Sequence, residues 1–263
     1  MKLQTGLLIC ALAVLAACSG EERAAQQSAV VEVDSTPLLA DGAYALVSVD
    51  VTEEGQVSSY QRDQIKIYTQ NRFMFAFYNE LTARVDAGTG YAEWVNGVLV
   101  ETPIANQDGS IEDLSFDLTI IPTDTGFTQS LSGMKYGERS VDMVEQWRTL
   151  STENGDFDGL WKLESSSPEI GSRAGFFEMK LIGGGHYAFF QRFSNEGELE
   201  KHFGFGSFQV NESGEITETA MTSSIEGYAG REYQVDLKLV DSDHLVQSFE
   251  LNGVVITQTY VRI

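Results

Sequence analysis

From Asp41 onward, apolar and polar positions alternate with a period of two, and no sustained helical period interrupts them. Leu46-Val47-Ser48-Val49 opens the series. Ile65-Lys66-Ile67-Tyr68 and Phe73-Met74-Phe75-Ala76-Phe77 flank Thr69-Gln70-Asn71, a pattern that predicts a hairpin. Tyr91 to Trp94 and Val98 to Val100 flank Val95-Asn96-Gly97, whose Asn-Gly pair is a strong two-residue turn signal. Further strands are predicted at 116–121, 127–131 and 141–150, with turns at Pro122-Thr123-Asp124 and Ser132-Gly133.

The pattern then repeats. Asp41-Gly42-Ala43-Tyr44 returns as Asp158-Gly159-Leu160-Trp161, and Lys66-Ile67 returns as Lys180-Leu181. Arg72-Phe73-Met74-Phe75 returns as His186-Tyr187-Ala188-Phe189, and Gly88-Thr89-Gly90 as Gly204-Phe205-Gly206. Glu101-Thr102 matches Glu218-Thr219, Phe127-Thr128-Gln129-Ser130-Leu131 matches Leu245-Val246-Gln247-Ser248-Phe249, and Trp147 matches Tyr260. The order is collinear. A repeat this long is a duplicated domain rather than a solenoid unit of about 20–50 residues. Each half holds about eight short strands, enough to close into a barrel and remove its sheet edges. The expected fold is therefore all-β: two tandem antiparallel barrels at 40–150 and 158–263, joined by a polar linker at 151–157. One sixteen-stranded membrane barrel is a weaker alternative, because membrane strands need about 9–11 residues and most of the apolar runs are shorter.

Strand parity nominates an interior. Side chains at i and i+2 share a face, so Gln129 joins Phe127 and Leu131, and Gln247 joins Leu245 and Phe249. In the last strand of each half, Met143, Glu145 and Trp147 align with Ile256, Gln258 and Tyr260. Both halves thus place polar groups among inward apolar ones. A buried amide or carboxyl must find a partner. A small barrel is either filled by its own side chains or holds one small ligand, and both readings stay open at this point.

Composition narrows the class. The net charge is −22, which opposes anionic headgroups and phosphate backbones and excludes nucleic acid as a partner. The only two cysteines, Cys10 and Cys18, lie in an N-terminal stretch with Lys2, an uncharged run from Gly6 to Ala17, and Leu15-Ala16-Ala17-Cys18. That stretch reads as an export signal. Its ending resembles the lipobox of bacterial lipoproteins, which implies a signal peptide at 1–17 and acylation of Cys18. Residues 18–39 then form a lipidated cysteine and flexible tether. Ser19 after the lipid cysteine implies the outer membrane, facing the periplasm.

Each half also resembles the small bacterial lipocalin-like domains of secreted and lipid-anchored proteins. The likeness rests on Gly159-Leu160-Trp161, Arg72-Phe73-Met74-Phe75, Gly88-Thr89-Gly90, Thr217-Glu218-Thr219 and Glu145-Gln146-Trp147-Arg148. Tyr44 stands where the second half has Trp161, and Tyr260 where the first has Trp147, so neither copy is complete. The resemblance implies β-barrels and an apolar-ligand pocket, and it implies no particular reaction.

Candidate chemistry is sparse. Gly183-Gly184-Gly185 lacks the Lys and the following helix of a phosphate loop and reads as a hairpin turn. Asn154-x-Asp156-x-Asp158-Gly159 starts like a calcium loop, but its twelfth position is Ser165. His202 and His244 fall in charged turns. No catalytic set, metal site or cofactor is expected. The candidate ligand contacts are Arg72, Gln129, Glu145, Trp147, His186, Gln247, Gln258 and Tyr260. The leading functional reading is non-catalytic binding of a small apolar or amphipathic molecule inside a barrel. The alternatives are an envelope protein–protein interaction module with filled barrels, and a barrel isomerase using Glu145 or His186. If the lipobox directs anchoring, Cys18→Ser will move the protein from the membrane to the soluble fraction on fractionation, and membrane retention of that variant would refute it.

Overall fold

The structure, a computed structural model, describes residues 39–80, 82–136, 139–168, 175–251 and 253–263. The signal segment, Cys18 and the tether up to residue 38 lie outside the described residues. The first half contains β1 (Gly42–Glu53), β2 (Gln56–Tyr60), β3 (Gln64–Thr69), β4 (Arg72–Asn79), β5 (Arg84–Val95), β6 (Val98–Asn106), β7 (Gly109–Ser110), β8 (Phe116–Thr123), β9 (Gly126–Tyr136) and β10 (Arg139–Ser151). The second contains β11 (Gly159–Ser167), β12 (Phe177–Gly183), β13 (His186–Asn195), β14 (Glu198–Val210), β15 (Ile216–Ser223), β16 (Glu232–Leu239), β17 (His244–Leu251) and β18 (Val254–Arg262).

Both halves close. In the first, the order β1-β3-β4-β5-β6-β8-β9-β10 returns through β10–β1 pairing, with β2 extending β1 and β7 capping β6. In the second, β11 to β18 form a closed eight-stranded antiparallel barrel. Each half thus satisfies its own sheet edges, which removes the sixteen-stranded alternative. Strand length did not settle that question: β1 and β5 run 12 residues and β10 and β14 run 13, longer than the apolar runs indicated. Polar residues continue the ladder wherever the outer face meets water. Ser132-Gly133 is likewise no turn; both residues lie within β9, where Gly133 donates its N–H to the Asp142 carboxylate beside a register shift.

The duplication extends to the irregularities. β1 slips against β10 between Leu46 and Ser48, and β11 slips against β18 between Leu163 and Ser165. β5 slips against β6 at Thr89/Gly90, and β14 against β15 at Phe205/Gly206. The Gly-x-Gly motif has a packing reason in both copies. A Cβ on Gly90 or Gly206 would lie 2.1 or 2.0 Å from the carbonyl oxygen of Thr102 or Thr219 across the bulge. A Cβ on Gly88 or Gly204 would sit 2.9 or 2.6 Å from the ring of Phe75 or Phe189.

The barrels share an outer-face core. Ile65, Ile67, Met74 and Ala76 of the first pack with Met179, Leu181, Ala188, Phe190, Phe203 and Phe205 of the second, all buried. Here β3 and β4 meet β12 and β13. These strands are therefore covered on both faces, which is why β3 and β12 are almost continuously buried. The hairpin tips reach across reciprocally. Arg72 donates to the Ile263 carbonyl (3.1 Å), and Arg262 donates to Gln70 Oε1 (3.2 Å). In the other direction the Gly183-Gly184 tip lies on the first barrel so closely that a Cβ on Gly184 would be 2.5 Å from the Ala43 nitrogen. The triple glycine is a hairpin turn, as expected, and the close approach adds a reason for two of its members. Asp108 adds polar contacts, accepting from Arg192 and Lys201.

Because Phe190 is fully buried in this shared core, Phe190→Ala should cost about 3–5 kcal/mol. Chemical denaturation followed by Trp fluorescence should show both barrels destabilised together; loss confined to the second barrel would separate the two cores.

Candidate functional site

The inward faces meet in a polar cluster at the centre of each barrel. In the first, β3 carries Lys66 between two outward isoleucines, so parity turns its ammonium inward. There it contacts Glu101 of β6 (2.7 Å) and donates to Gln129 Oε1 of β9 (2.9 Å). Tyr68 donates to Glu101 (2.6 Å). Gln129 passes its amide N–H to Glu145 (2.8 Å), which also accepts from the Trp147 indole (3.2 Å). The ammonium lies 5.3, 5.7 and 5.9 Å from the ring centres of Tyr68, Phe73 and Trp147, within cation–π range. Arg62 supplies a second cation 3.8 Å from Glu145.

The second barrel repeats the centre. Lys180 of β12 pairs with Glu218 of β15 (2.8 Å) and donates to Gln247 Oε1 of β17 (2.6 Å). Tyr260 donates to Glu178 (2.6 Å) and to Gln258 Oε1 (3.1 Å). The second carboxylate has changed strands between copies: Glu145 on β10 corresponds to Gln258, while Gln64 on β3 corresponds to Glu178. Each interior therefore keeps one lysine, two carboxylates and two glutamines. Arg62 has no counterpart; the aligned position is Phe176, which stacks on Phe193 at 6.0 Å.

Six of the expected site residues are brought together, three per barrel: Gln129, Glu145 and Trp147, and Gln247, Gln258 and Tyr260. All six are at most 5% exposed. Arg72 and His186 are not among them. They sit at the hairpin tips with their outward parity, Arg72 over the Tyr91 ring (4.3 Å) and His186 against the Gly184 carbonyl (2.7 Å). Burial holds the His186 ring below its ordinary pKa. Glu145 and His186 belong to different barrels and form no acid–base pair. His202 lies within β14, not in a turn, stacked on Phe193 at 5.5 Å; His244 begins β17, half-buried, beside Asp241. Asp158 of the calcium-like run accepts from the Gly155 N–H and so closes a local turn.

Parity arguments confined to apolar strands with a glutamine missed Lys66, Lys180, Glu101, Glu218 and Glu178. The signal was present: Lys66-Ile67/Lys180-Leu181 and Glu101-Thr102/Glu218-Thr219 are charges kept at matching places in both copies. No family model matches this chain, and no curated protein matches its sequence.

Burial pushes the Glu178 carboxyl from an ordinary value of 4.5 up to about 7, with Glu218 adding to it and Tyr260 and Lys180 opposing. Burial raises Glu145 as well, against Lys66 and Arg62. A raised carboxyl means the folded chain holds the proton longer than the unfolded one. Glu178 therefore makes stability fall as pH rises from about 4.5 to 7 and stay level above, by about 3 kcal/mol. In thermal denaturation from pH 5 to 8.5, Glu178→Gln should raise Tm above wild type at pH 8, with the gap closing towards pH 5. A gap independent of pH would mean that Glu178 is ionised in the fold throughout.

Proposed function

We propose that this chain is a lipid-anchored, non-catalytic interaction module of the cell envelope, whose two filled barrels form one rigid platform. The observation that carries this reading is the occupancy of both interiors. Lys66, Glu101, Gln129 and Glu145 in one barrel, and Lys180, Glu218 and Gln247 in the other, are buried and engaged with one another, and Glu178 is buried and accepts from Tyr260. A molecule entering either centre would have to break charge-assisted hydrogen bonds without water to replace them. Binding of a small apolar ligand deep in a barrel, as the lipocalin-like resemblance implies, is therefore the weaker reading. The isomerase reading rests on Glu145 and His186, which belong to different barrels and form no acid–base pair.

Anchoring rests on Leu15-Ala16-Ala17-Cys18, and the outer membrane on Ser19. The strongly acidic body has no electrostatic attraction to anionic lipid. The lipid then supplies attachment, and the outer faces and mouths of the barrels supply recognition from the aqueous side. Native mass spectrometry of the full chain, released from mild detergent, should give the mass of the acylated polypeptide alone. A stoichiometric additional mass lost on denaturation would overturn the filled-barrel reading in favour of an internal ligand.

A further inference from the structure

The two barrel mouths differ, and the second shows what the first can hold. In the second barrel, Trp161 of β11 pairs in register with Arg262 of β18. The Arg262 guanidinium lies 4.1 Å above the indole. It donates from Nη1 to the Asp158 carbonyl (2.7 Å) and from Nε to the Ser242 carbonyl (2.8 Å). The side chain thus bridges the entry to β11 and the β16–β17 turn across the mouth.

The first barrel has the same frame. Tyr44 pairs in register with Thr149, as Trp161 does with Arg262. The Thr149 N–H donates to the Thr125 carbonyl (2.9 Å), as the Arg262 N–H does to Asp243 (2.8 Å). The Tyr44 hydroxyl donates to the carbonyl four residues back, Ala40 (2.6 Å), as the Trp161 indole does to Phe157 (3.0 Å). These contacts align Asp41 with Asp158 and Asp124 with Ser242. At the position of the plugging arginine stands Thr149, too short to bridge. A cleft of about 580 Å³ opens there, lined by Tyr44, Asp124, Thr125, Arg148 and Thr149 among others.

We propose that this cleft is a docking site for an arginine side chain presented by a protein partner. The guanidinium would take the place that Arg262 takes in the other copy. Its planar fork suits two carbonyl acceptors on opposite sides of the mouth, a match that a lysine ammonium cannot make. The aligned frame carries two acidic side chains in each copy, Asp41 and Asp124 in the first and Asp158 and Asp243 beside Arg262 in the second. Arg148, exposed on the rim, opposes the first pair in part. Tyr44 is only 2% exposed, so the carbonyl frame carries the recognition. The occupant is assigned to a polypeptide because the internal example is itself a peptide side chain. The site deepens the interaction-module reading and rests on it for its partner. The interior contents do not enter its test, so the two readings fail separately.

The test is isothermal titration calorimetry of the full chain in mild detergent with the capped tripeptide acetyl-Gly-Arg-Gly-amide. Binding should be one-to-one with a Kd on the order of 1 mM, as expected of a single anchoring side chain. The lysine tripeptide should bind at least about tenfold more weakly. Thr149→Arg, which rebuilds the plug of the second barrel, should abolish binding while its Tm stays at or above wild type. Unchanged binding to Thr149→Arg, equal binding of the lysine peptide, or no saturable heat with wild type would each overturn the proposal.

Discussion

A lysine ammonium at the centre of each barrel is the constraint on which the rest of the structure depends. An ammonium cannot stay charged in an apolar interior without a counter-charge and acceptors for its protons. Lys66 meets that demand with Glu101 and Gln129, and Lys180 with Glu218 and Gln247. In each case the partners come from strands across the barrel, so the lysine fixes which residues must face inward on β6 and β9, or on β15 and β17. The aromatic rings around it follow. A register slip of one residue on any of these strands would turn a charged or amide group outward and leave its partner buried and unpaired. Such a network costs stability to assemble and specifies one arrangement among many that an apolar core would tolerate.

The two copies show which parts of that arrangement are interchangeable. The second carboxylate occupies β10 in one barrel and β12 in the other, and a glutamine takes the vacated place each time. Charge count is kept while position is not, as expected of groups that interact at short range around one cation. The exception is Arg62, whose second positive charge in the first barrel has no counterpart. The second interior therefore holds two carboxylates against one lysine, and burial, with Glu218 adding to it, displaces Glu178 towards neutrality. Divergence at the mouths has the same character: Arg262 bridges the second mouth, and Thr149 leaves a cleft at the same place on a backbone frame paired in the same register.

The shared outer core gives the pair its rigidity. Its residues are ordinary aliphatic and aromatic side chains on β3, β4, β12 and β13, and its tips need glycine because backbone meets backbone. These strands thus have two buried faces, one polar-centred and inward, the other apolar and against the sister barrel. That double burial explains why β4 and β13 are rich in aromatic residues and why β3 and β12 place their inward polar groups, Gln64 and Lys66, and Glu178 and Lys180, in alternation with apolar outward ones.

Much of this was legible in the chain itself. The period-two alternation, the Asn96-Gly97 hairpin and the collinear repeat determined two antiparallel barrels. Strand parity determined that Gln129, Glu145, Gln247 and Gln258 face inward, because side-chain direction in a strand is a local property. Tertiary structure alone decided the rest. Which inward groups touch depends on strand order around the barrel, so the lysine pairs, which join residues up to 67 apart, could not be read from spacing. Arg72 and His186 share their strands' aromatic character but have the opposite parity, and lie at tips that matter only because the barrels pack together. Whether a mouth is open or plugged depends on one side chain crossing a gap between distant turns, and that gap exists only once the barrel has closed.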